Sequence, residues 1–133
     1  MTTVYMLFLV SAVVSILLYY APKAAVKVGF GLSALSCFYA MCHFVANMGV
    51  NDSFALMDGF LYLPKFALNP LGNFFSFVVV FIGFASSVYG MSYAEEYIKK
   101  ANVGVFACLF NTFILSMLLV ISADNVFCFV VLW

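Results

Sequence analysis

The sequence predicts an all-α polytopic membrane protein with four transmembrane helices and the start of a fifth. Its N-terminus is expected outside, and a short β-hairpin is expected in the external loop between the second and third helices. Three observations carry that expectation. Of 133 residues, 68% are hydrophobic and 8% charged, which is more apolar surface than a soluble domain of this size can bury. The apolar residues are gathered into four long runs, each close to the ~20 residues that a helix needs to cross the hydrocarbon. The five lysines and five acids lie between these runs or at their ends. A single membrane domain, residues 1–133, is expected.

Taken in order, the runs extend from about Val4 to Tyr20, Val26 to Met48, Leu71 to Met91 and Val103 to Ile121. No basic residue precedes the first, and Lys23 and Lys27 follow it, the reverse of a secretory leader. A final run, Val126 to Trp133, would make only about 12 Å of helix at ~1.5 Å per residue and cannot cross alone. Orientation follows from the lysines, because cations near helix ends are retained on the cytoplasmic side. Lys23, Lys27, Lys99 and Lys100 fall in the first and third connections, and the other side holds only Lys65. The N-terminus and the stretch Asn51 to Asn69 are therefore expected outside, and Tyr93 to Lys100 inside. Tyr19, Tyr20, Tyr89 and Tyr93 sit near run ends, where amphipathic rings favour the headgroup level.

In the external stretch, Asp58-Gly59 separates the apolar runs Phe54 to Met57 and Phe60 to Leu63. Glycine accepts the positive φ of a two-residue hairpin turn, so these runs are expected to pair as strands. Pro64 lacks a backbone donor and should end the second strand. Pro70 suits the first turn of the third helix, where an N–H would have no partner.

Within the spans, small residues recur at helical spacing: Gly29 with Ser33, Gly83 with Ser87, Ser86 with Gly90. Such pairs let helix backbones approach closely. Asn111 and Thr112 form the most polar pair inside a span and read as interhelical hydrogen-bond partners rather than transport ligands. His43 is the candidate for a proton relay, since its ordinary pKa lies near neutrality. A relay needs further titratable groups in line, and a neutral imidazole satisfied by one neighbouring helix is the plainer reading. Cys37, Cys42, Cys108 and Cys128 lack paired metal-site spacing and read as small lipid- or core-facing residues. Glu95 to Lys99 and Glu96 to Lys100 are spaced to pair along one solvated helix face. With zero formal charge and no basic patch, nucleic acid is excluded as a partner. Asp124 and Asn125 read as the structural start of the next helix, because a short polar side chain there accepts backbone N–H bonds and a carboxylate complements the helix's positive end.

A resemblance adds to this. Phe66-Ala-Leu-Asn69-Pro70-Leu-Gly-Asn-Phe-Phe75, Ser87-Val-Tyr89, and Ser116-Met-Leu-Leu-Val-Ile-Ser-Ala-Asp124-Asn125 with Trp133 eight residues on resemble the antiporter-like membrane subunits. These comprise the proton-pumping subunits of respiratory complex I, the large subunits of cation/proton antiporters and the membrane subunits of energy-converting hydrogenases. The segments around Pro70 and Tyr89 are most similar to the hydrogenase-4 component B family, also called formate hydrogenlyase subunit 3. The resemblance covers about half of the chain, and the first half shares only the pattern of helix, lysines, helix and hairpin. The family usually carries an acid where Asn69 stands. In the family, the tryptophan matching Trp133 is followed by a glutamate that serves the proton pathway, and later broken helices supply lysines.

The resemblance thus implies the N-terminal part of a proton-translocating subunit of an NADH-quinone oxidoreductase-like or hydrogenase oxidoreductase complex. It would lack the relay residues, sit in the bacterial inner membrane, and contact the bilayer and other membrane and peripheral subunits. No catalytic residue, metal ligand or cofactor is expected in this chain. The alternative is a small self-standing four-helix membrane protein that assembles with or regulates a transporter.

Overall fold

The computed structural model describes residues 1–20, 24–49, 52–55, 65–97 and 102–133. Helix α1 spans Thr2–Leu17 and tightens into a 3₁₀ turn, Leu18–Tyr20. A π-helical turn, Ala25–Gly29, leads into α2, Phe30–Ala46. Strands β1, Asp52–Ala55, and β2, Lys65–Leu68, precede α3, Pro70–Tyr97, and α4, Val103–Ser122. A seven-residue helix, α5, covers Val126–Leu132. Among the described residues, four helical stretches are long and apolar enough to cross a membrane: Thr2–Tyr20, Ala25–Ala46, Pro70–Glu96 and Val103–Ser122. They pack in a closed cycle, α1 on α2, α2 on α3, α3 on α4 and α4 back on α1, with the tightest pairings between α2 and α3 and between α1 and α4.

Along α3 the side chains that face the bundle are smaller and more polar than those that face away from it. Along α3 the buried residues are Asn73, Ser76, Val80, Gly83, Ser87, Gly90 and Ala94, alternately three and four residues apart. That is a heptad seam, the spacing that keeps one stripe of a helix against a partner. Ser76 and Ser87 are 0% exposed, whereas Phe81, Ile82 and Tyr89 on the opposite faces are 54%, 59% and 69% exposed. A helix in water would reverse this distribution. In hydrocarbon it is the favourable one, since lipid solvates large apolar side chains and small residues let backbones meet.

Two glycines show how close the helices come. A Cβ on Gly83 would lie 2.9 Å from Ile114 Cδ1 and 3.2 Å from Cys37 Sγ, and one on Gly104 would lie 2.8 Å from the Ser15 carbonyl oxygen. In the pairs Gly29/Ser33 and Gly83/Ser87 the serine hydroxyl donates back to the glycine carbonyl, at 2.8 Å in both. The close approach thus carries a hydroxyl without leaving it unpaired. Ser86 is one position off the α3 seam and faces outward, so the pair Ser86/Gly90 does not act as a unit.

Helix α3 is longer than its hydropathy indicates. Its 28 residues amount to about 42 Å of helix, against roughly 30 Å of hydrocarbon. The extra turns carry Tyr93, Glu95 and Glu96, exposed residues that continue the helix beyond the apolar run.

A small antiparallel hairpin is present, with Asp52 opposite Leu68 and Ala55 opposite Lys65. The expected turn at Asp58-Gly59 and the expected second strand, residues 60–63, lie outside the described residues. The described second strand lies beyond Pro64, not before it. Alternation explains the position: Phe66 and Leu68 point into the bundle, 5% and 1% exposed, with half-buried Ala67 between them. Phe66 packs on Tyr5, ring centroids 6.5 Å apart, and its backbone forms a bridge to Ala123 at the end of α4. The hairpin is thereby tied to both helices at one end of the α1–α4 pair.

Gly104→Ala should destabilise the bundle by about 1 to 3 kcal/mol, because the added methyl meets backbone that cannot move aside. Gly31→Ala, with nothing within 4 Å of the new Cβ, should stay within about 0.5 kcal/mol of the parent. Equilibrium unfolding in bicelles compares the two.

Candidate functional site in the bundle interior

Polar side chains occupy three levels between the helices, and each level has a local cause. At the hairpin end, Asn73 in the first turns of α3 donates through Nδ2 to the Asn47 carbonyl, 3.0 Å, which ties α3 to the end of α2. Asn47 Nδ2 donates to the His43 carbonyl at 2.8 Å, beside the backbone N–H of Asn47, which bonds the same carbonyl at 3.1 Å, so the last turn of α2 is held twice. Tyr5 Oη donates to Ser122 Oγ at 2.9 Å, and Ser122 Oγ donates to the Leu118 carbonyl at 2.9 Å. At the opposite end, Asn102 caps α4: its Oδ1 accepts from Gly104 N and Val105 N, 3.1 and 3.4 Å, and its Nδ2 donates to the Tyr19 carbonyl at 3.2 Å.

Between them lies the most buried level. Asn111 on α4 is 0% exposed, and its Nδ2 donates both to Ser33 Oγ on α2, 2.7 Å, and to the Ala107 carbonyl, 2.8 Å. A carbonyl can only accept, so the amide nitrogen must face Ala107, which fixes the orientation of the Asn111 side chain. Its neighbour Thr112 points away from the bundle and donates to the Cys108 carbonyl of its own helix at 2.9 Å. The two residues that read alike in the sequence therefore differ: Asn111 joins two helices, and Thr112 satisfies itself on the exposed face. A step along α2, Cys37 is buried against α3, where a Cβ on Gly83 would lie 3.2 Å from its Sγ. Cys42 is exposed.

His43 lies at the hairpin end of α2, half-buried, with Nε2 3.1 Å from the amino nitrogen of Met1. Its ring meets Tyr39 and Phe44, at centroid distances of 6.5 and 5.7 Å. No described Asp, Glu or Lys side chain is buried in the bundle. Asp124 is exposed, and Asn125 is the residue whose side chain caps α5, its Oδ1 accepting from Phe127 N at 3.1 Å. Trp133 is exposed and rests against Phe129 at 5.5 Å.

Among the described residues, no group of three or more His, Cys, Asp or Glu side chains is placed to hold a metal ion. The grooves on the outer surface, one between Tyr5, Phe66 and Leu119 and another between Met117, Ile121 and Trp133, have almost wholly apolar walls. They offer few polar groups to orient a ligand. Chemically, the interior is arranged to hold helices together.

Comparisons with protein-family models, with curated proteins and with solved structures return no match. The chain's function is therefore argued from its own residues.

Sequence reasoning found Asn111 but not its partner Ser33, nor Ser11, Asn73 and Asn102. Asn102 carried a signal, an asparagine immediately before an apolar helical run. Ser33 was marked only through its spacing from Gly29, which signals close packing but not a hydrogen bond, and Ser11 carried no signal, because a serine inside an apolar run reads the same whether it meets lipid or another helix.

A double-mutant cycle of Asn111→Leu and Ser33→Ala should give a coupling of about 0.6 kcal/mol, with an upper range near 1.7. Thr112→Val, which removes a hydroxyl bonded only within its own helix, should couple with neither. Unfolding in bicelles reads all three.

Proposed function

We propose that this chain is a membrane-embedded helical scaffold, the N-terminal helices of an antiporter-like subunit of an energy-converting hydrogenase or complex I-type pump, and that it carries no proton path of its own. In this reading the N-terminus and the hairpin lie outside the bacterial inner membrane, the α3–α4 connection lies inside, and α5 opens a fifth span. Other membrane and peripheral subunits of the complex supply the redox chemistry.

The observation that carries the scaffold reading is the content of the interior. Between the helices lie Ser, Gly, Ala, Asn and apolar side chains, and no described Asp, Glu or Lys side chain is buried among them. Moving a proton across hydrocarbon requires titratable or hydrated groups at short intervals. His43 is the one imidazole in the chain, and it stands at one end of the bundle, away from the Asn111 level. The residue pattern around Pro70, Tyr89 and Asp124 to Trp133 supports the choice of family, and the Asn125-capped helix that runs to Leu132 is compatible with the start of a further span. The closed cycle of helix contacts favours a second reading, a self-standing four-helix protein that assembles with a transporter. The two part at the codon after Trp133. A frame that opens with glutamate and continues through further hydrophobic spans belongs to the first, and a stop followed by unrelated sequence to the second.

The purified chain, reconstituted in liposomes under an imposed potential, should show internal acidification no faster than empty liposomes. Proton uptake above that level, abolished by His43→Ala, would overturn the scaffold reading and assign His43 a relay role.

A further inference from the structure

Two buried polar atoms at the most buried level lack a hydrogen-bond partner: Ser11 Oγ on α1 and Asn111 Oδ1 on α4. Ser11 is 1% exposed and Asn111 0%. Helices α1 and α4 run antiparallel, since Ser15 and Tyr19 lie against Gly104 at one end and Tyr5 bonds Ser122 at the other. The register is set at Gly29, where a Cβ would sit 3.0 Å from Ala107 Cβ and 3.1 Å from Ser15 Oγ. Ser15 and Ala107 therefore share a level. Ser11 is four residues back along α1 and Asn111 four residues forward along α4, a step of about 6 Å on each helix in the same direction. Ser11 and Asn111 thus stand at one level as well.

Their hydrogen-bonding capacities are complementary. Asn111 has committed both amide hydrogens, to Ser33 and Ala107, so only its Oδ1 acceptor remains. Ser33 has committed its hydroxyl hydrogen to the Gly29 carbonyl and cannot donate to Oδ1. Ser11 retains a hydroxyl hydrogen. The two atoms do not bond each other directly, and an acceptor and a donor that share a level without touching are the arrangement a bridging water completes.

We propose that a single buried water sits between α1 and α4 at this level, donating to Asn111 Oδ1 and accepting from the Ser11 hydroxyl. It thereby links α1 to the Asn111–Ser33 bond, so that three helices share one hydrogen-bonded chain. Two polar partners are within the usual range for an interior water. The ligand is neutral: α1, α2 and α4 contain no Asp or Glu, so a cation there would be desolvated without a counter-charge. The site does not depend on the scaffold reading and would exist in either of the two functions above.

The test is water-to-protein magnetisation transfer by proton-detected solid-state NMR on the full chain in lipid bilayers, with asparagine labelled with nitrogen-15. The Asn111 side-chain amide should receive transfer from water, although it lies in the dry interior. Ser11→Ala should reduce that transfer at least twofold while leaving the exposed Asn69 and Asn125 amides unchanged. Absence of transfer to Asn111 in the parent chain, with Asn69 and Asn125 visible, would overturn the proposal without recourse to any variant. Undiminished transfer in Ser11→Ala would also overturn it, by removing Ser11 from the site.

Discussion

Every backbone N–H and C=O that crosses hydrocarbon must find its partner inside the protein, and this constraint organises the whole molecule. It forces the four spans into helices, which satisfy their own backbones. It also removes the force that normally drives helices together, because lipid solvates a leucine as well as another helix does. What remains is close packing and a few hydrogen bonds. The structure uses both: Gly, Ala and Ser let the helices meet, Phe8, Phe30, Phe44 and Leu118 fill the space between them, and many large side chains such as Phe81 and Ile82 are left to the lipid. The regular spacing on α3 from Asn73 to Ala94 is the clearest expression of that choice.

The same constraint accounts for where polar side chains sit. Each asparagine whose side chain is bonded closes a place where the helical ladder ends or where two helices meet. Asn47 reinforces the last turn of α2, Asn102 caps α4, Asn73 spans from α3 to α2, and Asn111 joins α4 to α2 at the most buried level. The hairpin serves a related purpose, since β2 gives its alternate side chains Phe66 and Leu68 to the bundle and its backbone to Ala123. An interior of neutral, short-range hydrogen bonds gives firm helix association.

Much of the fold was legible because hydropathy is a direct reading of the solvent. The four spans lie within a few residues of their expected positions, and the boundary that moved most, the end of α3, moved because Tyr93, Glu95 and Glu96 extend the helix with residues that hydropathy counts as loop. Strand position was less legible. The Asp58-Gly59 signal is local, whereas the placement of β2 depends on Phe66 meeting Tyr5, a contact 61 positions away in sequence. The interior site was half legible for the same reason. Asn111 and Thr112 are adjacent and equally polar, but a helix turns about 100° per residue, so one enters the bundle and the other leaves it. Nothing local distinguishes them. Ser33, which completes the bond, is 78 positions from Asn111, and its spacing from Gly29 marks it for close packing but not for this partner.

The central claim is that along α3 the small residues face inward and the large ones meet the lipid. A nitroxide scan through α3, placing one spin label at each position from Asn73 to Ala94 and reading oxygen accessibility in bilayers, addresses it most directly. The account predicts minima at Asn73, Ser76, Val80, Gly83, Ser87, Gly90 and Ala94, with maxima near Phe74, Phe81 and Val88. Minima at the large apolar positions, or accessibility without a 3.5-residue period, would contradict it.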